Sequence, residues 1–292
     1  MTIEAVHRNR GGALSSWARD NAILLALVPA LIFFALVFVY PNLRFVIEGV
    51  FAEHPDGPSL LDIVTGRSVI GRLMVMSIAL GVCTALGTLV IGYPIAYYLA
   101  RSTSRWRHYV FVVIFVPLLF SIVIRTFGWI VLLGSNGLLN GLLIQLGAID
   151  QPVVWLYNFP MTVVGLVHVF LPFMVLSILS SLSRVDQRIE DAAAILGASP
   201  WRSFRHVTLP LSSQGIFGGC AIVFSLTVGA YVTPRLLGGG RVQVLATEIY
   251  TQMLEIGDWG MAALLGAALT IVTLLGIALY QLLAGGPVRG KR

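Results

Sequence analysis

Apolar residues fill this chain in six long runs, and polar residues gather between them. The first run lies between Asp20 and Arg44, and the second between Arg72 and Arg101. The third begins at Tyr109 and is interrupted only by Arg125. The fourth spans about Met161 to Leu182, the fifth follows Pro210 and ends near Pro234, and the sixth lies between Asp258 and Arg289. About 20 apolar residues at ~1.5 Å each suffice to cross a bilayer as a helix. The pattern therefore predicts an all-α, polytopic membrane protein with about six transmembrane helices. Two polar-interrupted outer segments, 137–160 and 241–260, carry apolar residues that suit short helices at the membrane interface.

Composition agrees. Hydrophobic residues make up 57% of the 292 residues and charged ones 11%, against about 25% charged in a soluble domain. A surface this poor in charge needs lipid as its solvent. The first run is too long for a signal-peptide core and reads as an uncleaved anchor. The net charge of +6 does not point to nucleic acid, because the cations stand at the ends of apolar runs. Thirteen of the 19 Lys and Arg fall on one set of loops and tails, which places that set and both termini in the cytoplasm. Cys83 and Cys220 lie inside apolar runs and read as small buried side chains.

One polar stretch, Arg188 to Leu211, is far longer than a turn between two spans requires. Asp186, Glu190 and Asp191 sit where the positive end of a helix dipole favours acids. Ala192, Ala193 and Ala194 favour helix, and Gly197 suits a left-handed cap. Ala198 follows, and then Ser199 and Pro200 form a new N-cap and first-turn pair. Two short helices with an elbow are predicted, the second from Trp201 to about His206.

The same stretch resembles the cytoplasmic signature of ABC-importer permeases. Asp191-Ala192-Ala193, Gly197, Val207 and Leu209-Pro210 stand at the family's spacing, with Asp191 where the family has Glu. The resemblance implies a type I ABC importer permease fold and a coupling helix within a loop, 184–210, that docks on a separate ATPase subunit. It assigns this role to Glu190, Asp191, Ala192, Ala193, Gly197, Ala198, Ser199, Leu209 and Pro210. It further implies two ATPase subunits that bind ATP and Mg, a second permease subunit (a heterodimer), and an extracytoplasmic solute-binding protein. The chain itself is then no enzyme and holds no cofactor or metal. It would divide into a cytoplasmic tail at 1–20, a first span with outer loop at 21–70, a permease core at 71–285 and a tail at 286–292. Gly285, Gly290 and Lys291 stand at phosphate-loop spacing, but no Ser or Thr follows and no helix can be presented to a phosphate.

Segments 92–102, 117–129, 165–178 and 229–240 further resemble permeases of the spermidine/putrescine type. That branch implies a polyamine-type solute and an inner-membrane location. Relatives often carry an acid where this chain has Ala230, and no predicted span holds an interior Asp or Glu. An opine, amino-acid-like or aminophosphonate solute is the alternative, with a stand-alone secondary transporter as a further one. Arg125, Tyr231, Thr233 and Pro234 are the candidates for a translocation pathway. Arg125 lies about 25 Å up a straight third helix at ~1.5 Å per residue, within snorkelling reach of the outer interface. His168 reads as a hydrogen-bonded packing residue, and Tyr97 and Tyr98 as interfacial belt residues.

Overall fold

The structure, a computed structural model, describes residues 22–51 and 69–284. The tails 1–20 and 286–292, much of the first outer loop and the 285–291 motif lie outside the described residues. Among the described residues every regular element is a helix.

The first run forms α1, in which Ala22–Phe34 passes through a π-helical turn, Ala35–Val39, into Tyr40–Phe51. Its apolar side chains from Leu27 to Leu43 are exposed, as lipid contact requires. The second run is α2, Val69–Arg101, whose 33 residues reach about 50 Å. That exceeds a hydrocarbon core of about 30 Å, so Arg101 stands at the end of a helix with length to spare.

The third run departs from the expected straight span. Trp106–Phe115 (α3) tightens into a 3-10 turn, Val116–Leu119, and Phe120 then turns to extended backbone. Ser121 starts a new helix, α4 (Ile122–Leu133), its hydroxyl accepting the Val123 N–H at 3.3 Å. Pro117 explains the break, since it lacks an N–H and its ring opposes helix continuation. Arg125 therefore belongs to the first turn of α4, not to the upper part of a helix begun at Tyr109.

Leu138–Gln145 (α5) is the short helix expected in the outer segment. The span that fits the membrane by length here is Ile122–Gln145, with Trp106–Leu119 a separate short apolar helix. Asn140, buried on α5, ties together the two ends of this segment. Its Nδ2 donates to the carbonyls of Gly134 and Val153, each at 3.0 Å, and its Oδ1 accepts from Val153 N and Trp155 Nε1, each at 3.1 Å. Each buried partner left unpaired costs ~1–3 kcal/mol. Asn140→Ala should thus loosen the loop by about 3 kcal/mol, read as at least tenfold faster limited proteolysis between Gly147 and Leu156.

Phe159–Leu182 (α6) starts at an Asn158 cap, whose Oδ1 accepts the Met161 N–H at 2.8 Å. Gln187–Ile195 (α7) follows. Pro200–Ser203 then runs through a π-helical turn, Phe204–Thr208, into Leu209–Leu211, together α8. Ser213–Val228 (α9) leaves α8 at a 61° bend. Val232–Gly238 is α10, Leu245–Tyr250 with a π-helical turn Thr251–Ile256 is α11, and Trp259–Ala284 is α12. Five described helices are long and apolar enough to cross a membrane, or six when the bent pair is one span.

The core is the packing of α2, α6 and α9, around Leu80, Leu166, Met174, Ile178 and Val223. Small residues let α6 and α9 approach. A Cβ on Gly215 would lie 2.5 Å from Ser181 Cβ and 2.8 Å from the Ser177 carbonyl. The Ser177 hydroxyl donates to the Gly215 carbonyl at 2.9 Å. Such small faces replace the hydrophobic drive that lipid removes. α12 lies against α9 and α1, and α10 against α4 and α6. Cys220 is buried as expected, whereas Cys83 of α2 is exposed.

Candidate functional site

The elbow between α7 and α8 is built from local rules. The Asp186 carboxylate accepts the Arg188 N–H at 3.0 Å and opens α7. At the other end Gly197 takes φ +84. Gly197 N–H donates to the Ala194 carbonyl and Ala198 N–H to the Ala193 carbonyl, both at 3.0 Å, which is a Schellman closure. Ser199 then caps α8 through the Arg202 N–H at 3.4 Å, with Pro200 in the first turn. The second helix runs on to Leu211, beyond the expected end at His206.

The elbow holds apolar side chains out in the open. Ile195 is 87% exposed, Leu196 88% and Trp201 68%. Asp191, Ala192, Gly197 and Ser199 are exposed beside them, and Ala193 and Ala198 are half-buried. Trp201 stacks on Phe204, and Phe204 meets Tyr93 and Tyr97 of α2 edge-on. An exposed apolar cluster of this kind is the type of surface that a partner protein or lipid covers.

Glu190 faces inward and is the signature residue held in an ion pair. Its carboxylate meets Arg101 Nη2 at 2.7 Å and accepts the Thr208 hydroxyl at 3.0 Å. Arg101 Nη1 reaches the carbonyls of Leu182 and Val185 at 3.5 and 3.4 Å. Leu209 packs on the core, Pro210 stays exposed, and Tyr93 shares a 2.9 Å hydrogen bond with Ser212. Sequence reasoning missed Arg101, Tyr93 and Ser212 here, because their partners lie far along the chain.

The four pathway candidates separate. Thr233 and Pro234 are buried in the packing of α10, and Thr233 Oγ1 lies 3.4 Å from Thr126 Oγ1 of α4. Tyr231 instead stacks on Tyr250 of α11, ring centroids 4.1 Å apart. Arg125 sits half-buried on α4 within electrostatic reach of His168. His168 Nδ1 accepts the Trp129 indole N–H at 3.3 Å, the hydrogen-bonded packing role expected of it. Nε and Nη1 of Arg125 are buried and meet no acceptor among the described residues. Tyr97 and Tyr98 pack against the core of α2, α6 and α9. Among the described residues no group of three or more His, Cys, Asp or Glu could hold a metal ion.

The described residues form an all-helical bundle of membrane-length helices with a capped elbow between two core helices. Residues 91–286 match the family of binding-protein-dependent transport system inner membrane components, and the chain belongs to that family. It is thus a multi-pass inner-membrane transport component, outside the catalytic families. The spermidine/putrescine transport system permease protein PotB of Salmonella typhimurium strain LT2 is 30% identical over 269 residues, covering 89% of this chain and 92% of that one. PotB of Escherichia coli K12 is 33% identical over 209 residues, 72% of this chain and 76% of its own. Among solved structures, a bacterial ABC transporter that imports the acidic polysaccharide alginate superposes with TM-score 0.67 at 19% identity, over 93% of this chain and 98% of that one. The MetNI methionine ABC transporter gives TM-score 0.51 at 16% identity, over 73% and 92%. These two likenesses show the fold of ABC importer permeases.

Proposed function

We propose that the chain is one permease subunit of an ATP-driven importer for a polyamine-type solute. It pairs with a second, different permease subunit, and an extracytoplasmic binding protein delivers the solute. Two separate ATPase subunits bind ATP and Mg and receive the elbow, whose side of the membrane, with both termini, is the cytoplasm. The observation that carries this reading is the elbow itself: a locally capped turn with Ile195, Leu196 and Trp201 exposed, inside a chain of the binding-protein-dependent family. The solute class rests on the resemblance to spermidine/putrescine permeases over nearly the whole chain.

Arg125 favours a second solute reading. Its buried Nε and Nη1 meet no acceptor among the described residues, and an acidic group on an opine-like or aminophosphonate solute would supply one. Two experiments decide. The solute retained by the cognate binding protein should be spermidine or putrescine; retention of an acidic solute alone would replace the polyamine reading. Arg125→Gln should lower uptake at least fivefold, through KM, where Arg125 touches solute. Unchanged uptake kinetics would remove it from the pathway.

A further inference from the structure

We infer that the Arg101–Glu190 pair is the link that carries movement of the elbow into the membrane helices. The inference rests on the importer reading above. α7 has few apolar ties: Ile189, Ile195 and Leu196 all point outward. It hangs between the short segment after α6 and the Gly197 turn. The ionic tie stiffens that attachment. One guanidinium joins the last turn of α2, the exit of α6 through the Leu182 and Val185 carbonyls, and α7 through Glu190. The Glu190 carboxylate continues to Thr208 of α8. Two core helices, α2 and α6, and both helices of the elbow therefore meet at a single charge pair.

The setting suits this task. The two side chains are only 13% and 14% exposed, so water and salt screen them little. Ionised partners make shorter and stronger hydrogen bonds than neutral ones. Arg101 also stands at the C-terminus of α2, where the helix dipole favours a cation. With the pair broken, α7 would lose its ionic tie to the end of α2. Arg101 and Glu190 thus act as positioning residues that touch neither ATP nor solute.

The test uses the full complex in proteoliposomes, with Arg101→Gln, Glu190→Gln, their combination, and the charge-reversed pair Arg101→Glu with Glu190→Arg. Hydrogen exchange over Gln187–Ile195 should rise at least tenfold in each single variant. Uptake per ATP hydrolysed, measured with radiolabelled spermidine or octopine, whichever the wild type moves, should fall at least fivefold while hydrolysis persists. The double Gln variant should be no worse than either single one, because coupled partners are not additive. The reversed pair should recover a third or more of the wild-type ratio. Unchanged exchange in both single variants would overturn the link. Faster exchange with an unchanged ratio would reduce the pair to a brace for the fold and overturn its transmitting role. ATP-independent uptake by the wild type would sink the importer reading and the transmitting role with it, while the exchange data would still judge the physical tie.

Discussion

Gly197→Leu should leave the chain inserted and folded yet cut uptake at least tenfold, with ATP hydrolysis no longer answering to the solute-loaded binding protein. The reason is local. Gly197 holds φ +84, and a Cβ there would meet no heavy atom within 4 Å. The first added carbon therefore clashes with nothing among the described residues. Leucine bears the left-handed penalty of about 1–2 kcal/mol, and it thrusts a branched side chain into the surface that Ile195 and Leu196 present. Two companions separate these effects. Gly197→Ala carries the same backbone strain without the bulk, and Gly197→Asn tolerates the left-handed region. Uptake ranked Asn above Ala above Leu is expected. Equal loss in Ala and Leu would assign the defect to strain alone, and full uptake in Leu would remove the elbow from the coupling role.

Gly215→Ala should be the most damaging small change in the core. The added methyl would lie 2.5 Å from Ser181 Cβ, 2.8 Å from the Ser177 carbonyl oxygen and 3.1 Å from Ile178 Cα. Backbone atoms cannot step aside as a flexible side chain does, so α6 and α9 must separate. Overpacking costs typically ~1–3 kcal/mol, and the gain in helix propensity of ~1 kcal/mol offsets only part. Gly218→Ala is the control. Its Cβ would meet only Ser177 Oγ, at 3.4 Å, so propensity should prevail and the variant should be neutral or slightly stabilised. Melting of the purified complex in mild detergent should show Gly215→Ala lower by several degrees and Gly218→Ala unmoved. A Gly215→Ala protein as stable as its parent would mean that the two helices are not held at this distance.

The elbow could be read from sequence because each of its devices spans only a few residues. Asp186, Gly197, Ser199 and Pro200 act on backbone groups within five positions of themselves, and all four do what their chemistry predicts. The partner of Glu190 could not be found that way, since Arg101 lies 89 residues earlier. The break at Phe120 was signalled by Pro117 and Ser121, but the unbroken apolarity around them hid it. The α6–α9 contact also had a signal: Ser177 and Ser181, and Gly215 and Gly219, each four apart on a helix. What sequence could not say is that these two small faces meet. Asn140 looked like an ordinary loop polar residue, and only the folded loop gathers its partners.

The nearly bare Ile195 and Leu196 bear on how the subunit must be made. On the proposed function, a copy synthesised without its ATPase partners leaves two branched aliphatic side chains and an indole uncovered on the cytoplasmic side. Such orphans will stick to one another or to holdase chaperones, and they are natural prey for quality-control proteolysis. Abundance in the cell should then track the scarcest member of the assembly, and heterologous production should succeed best when every subunit is synthesised together.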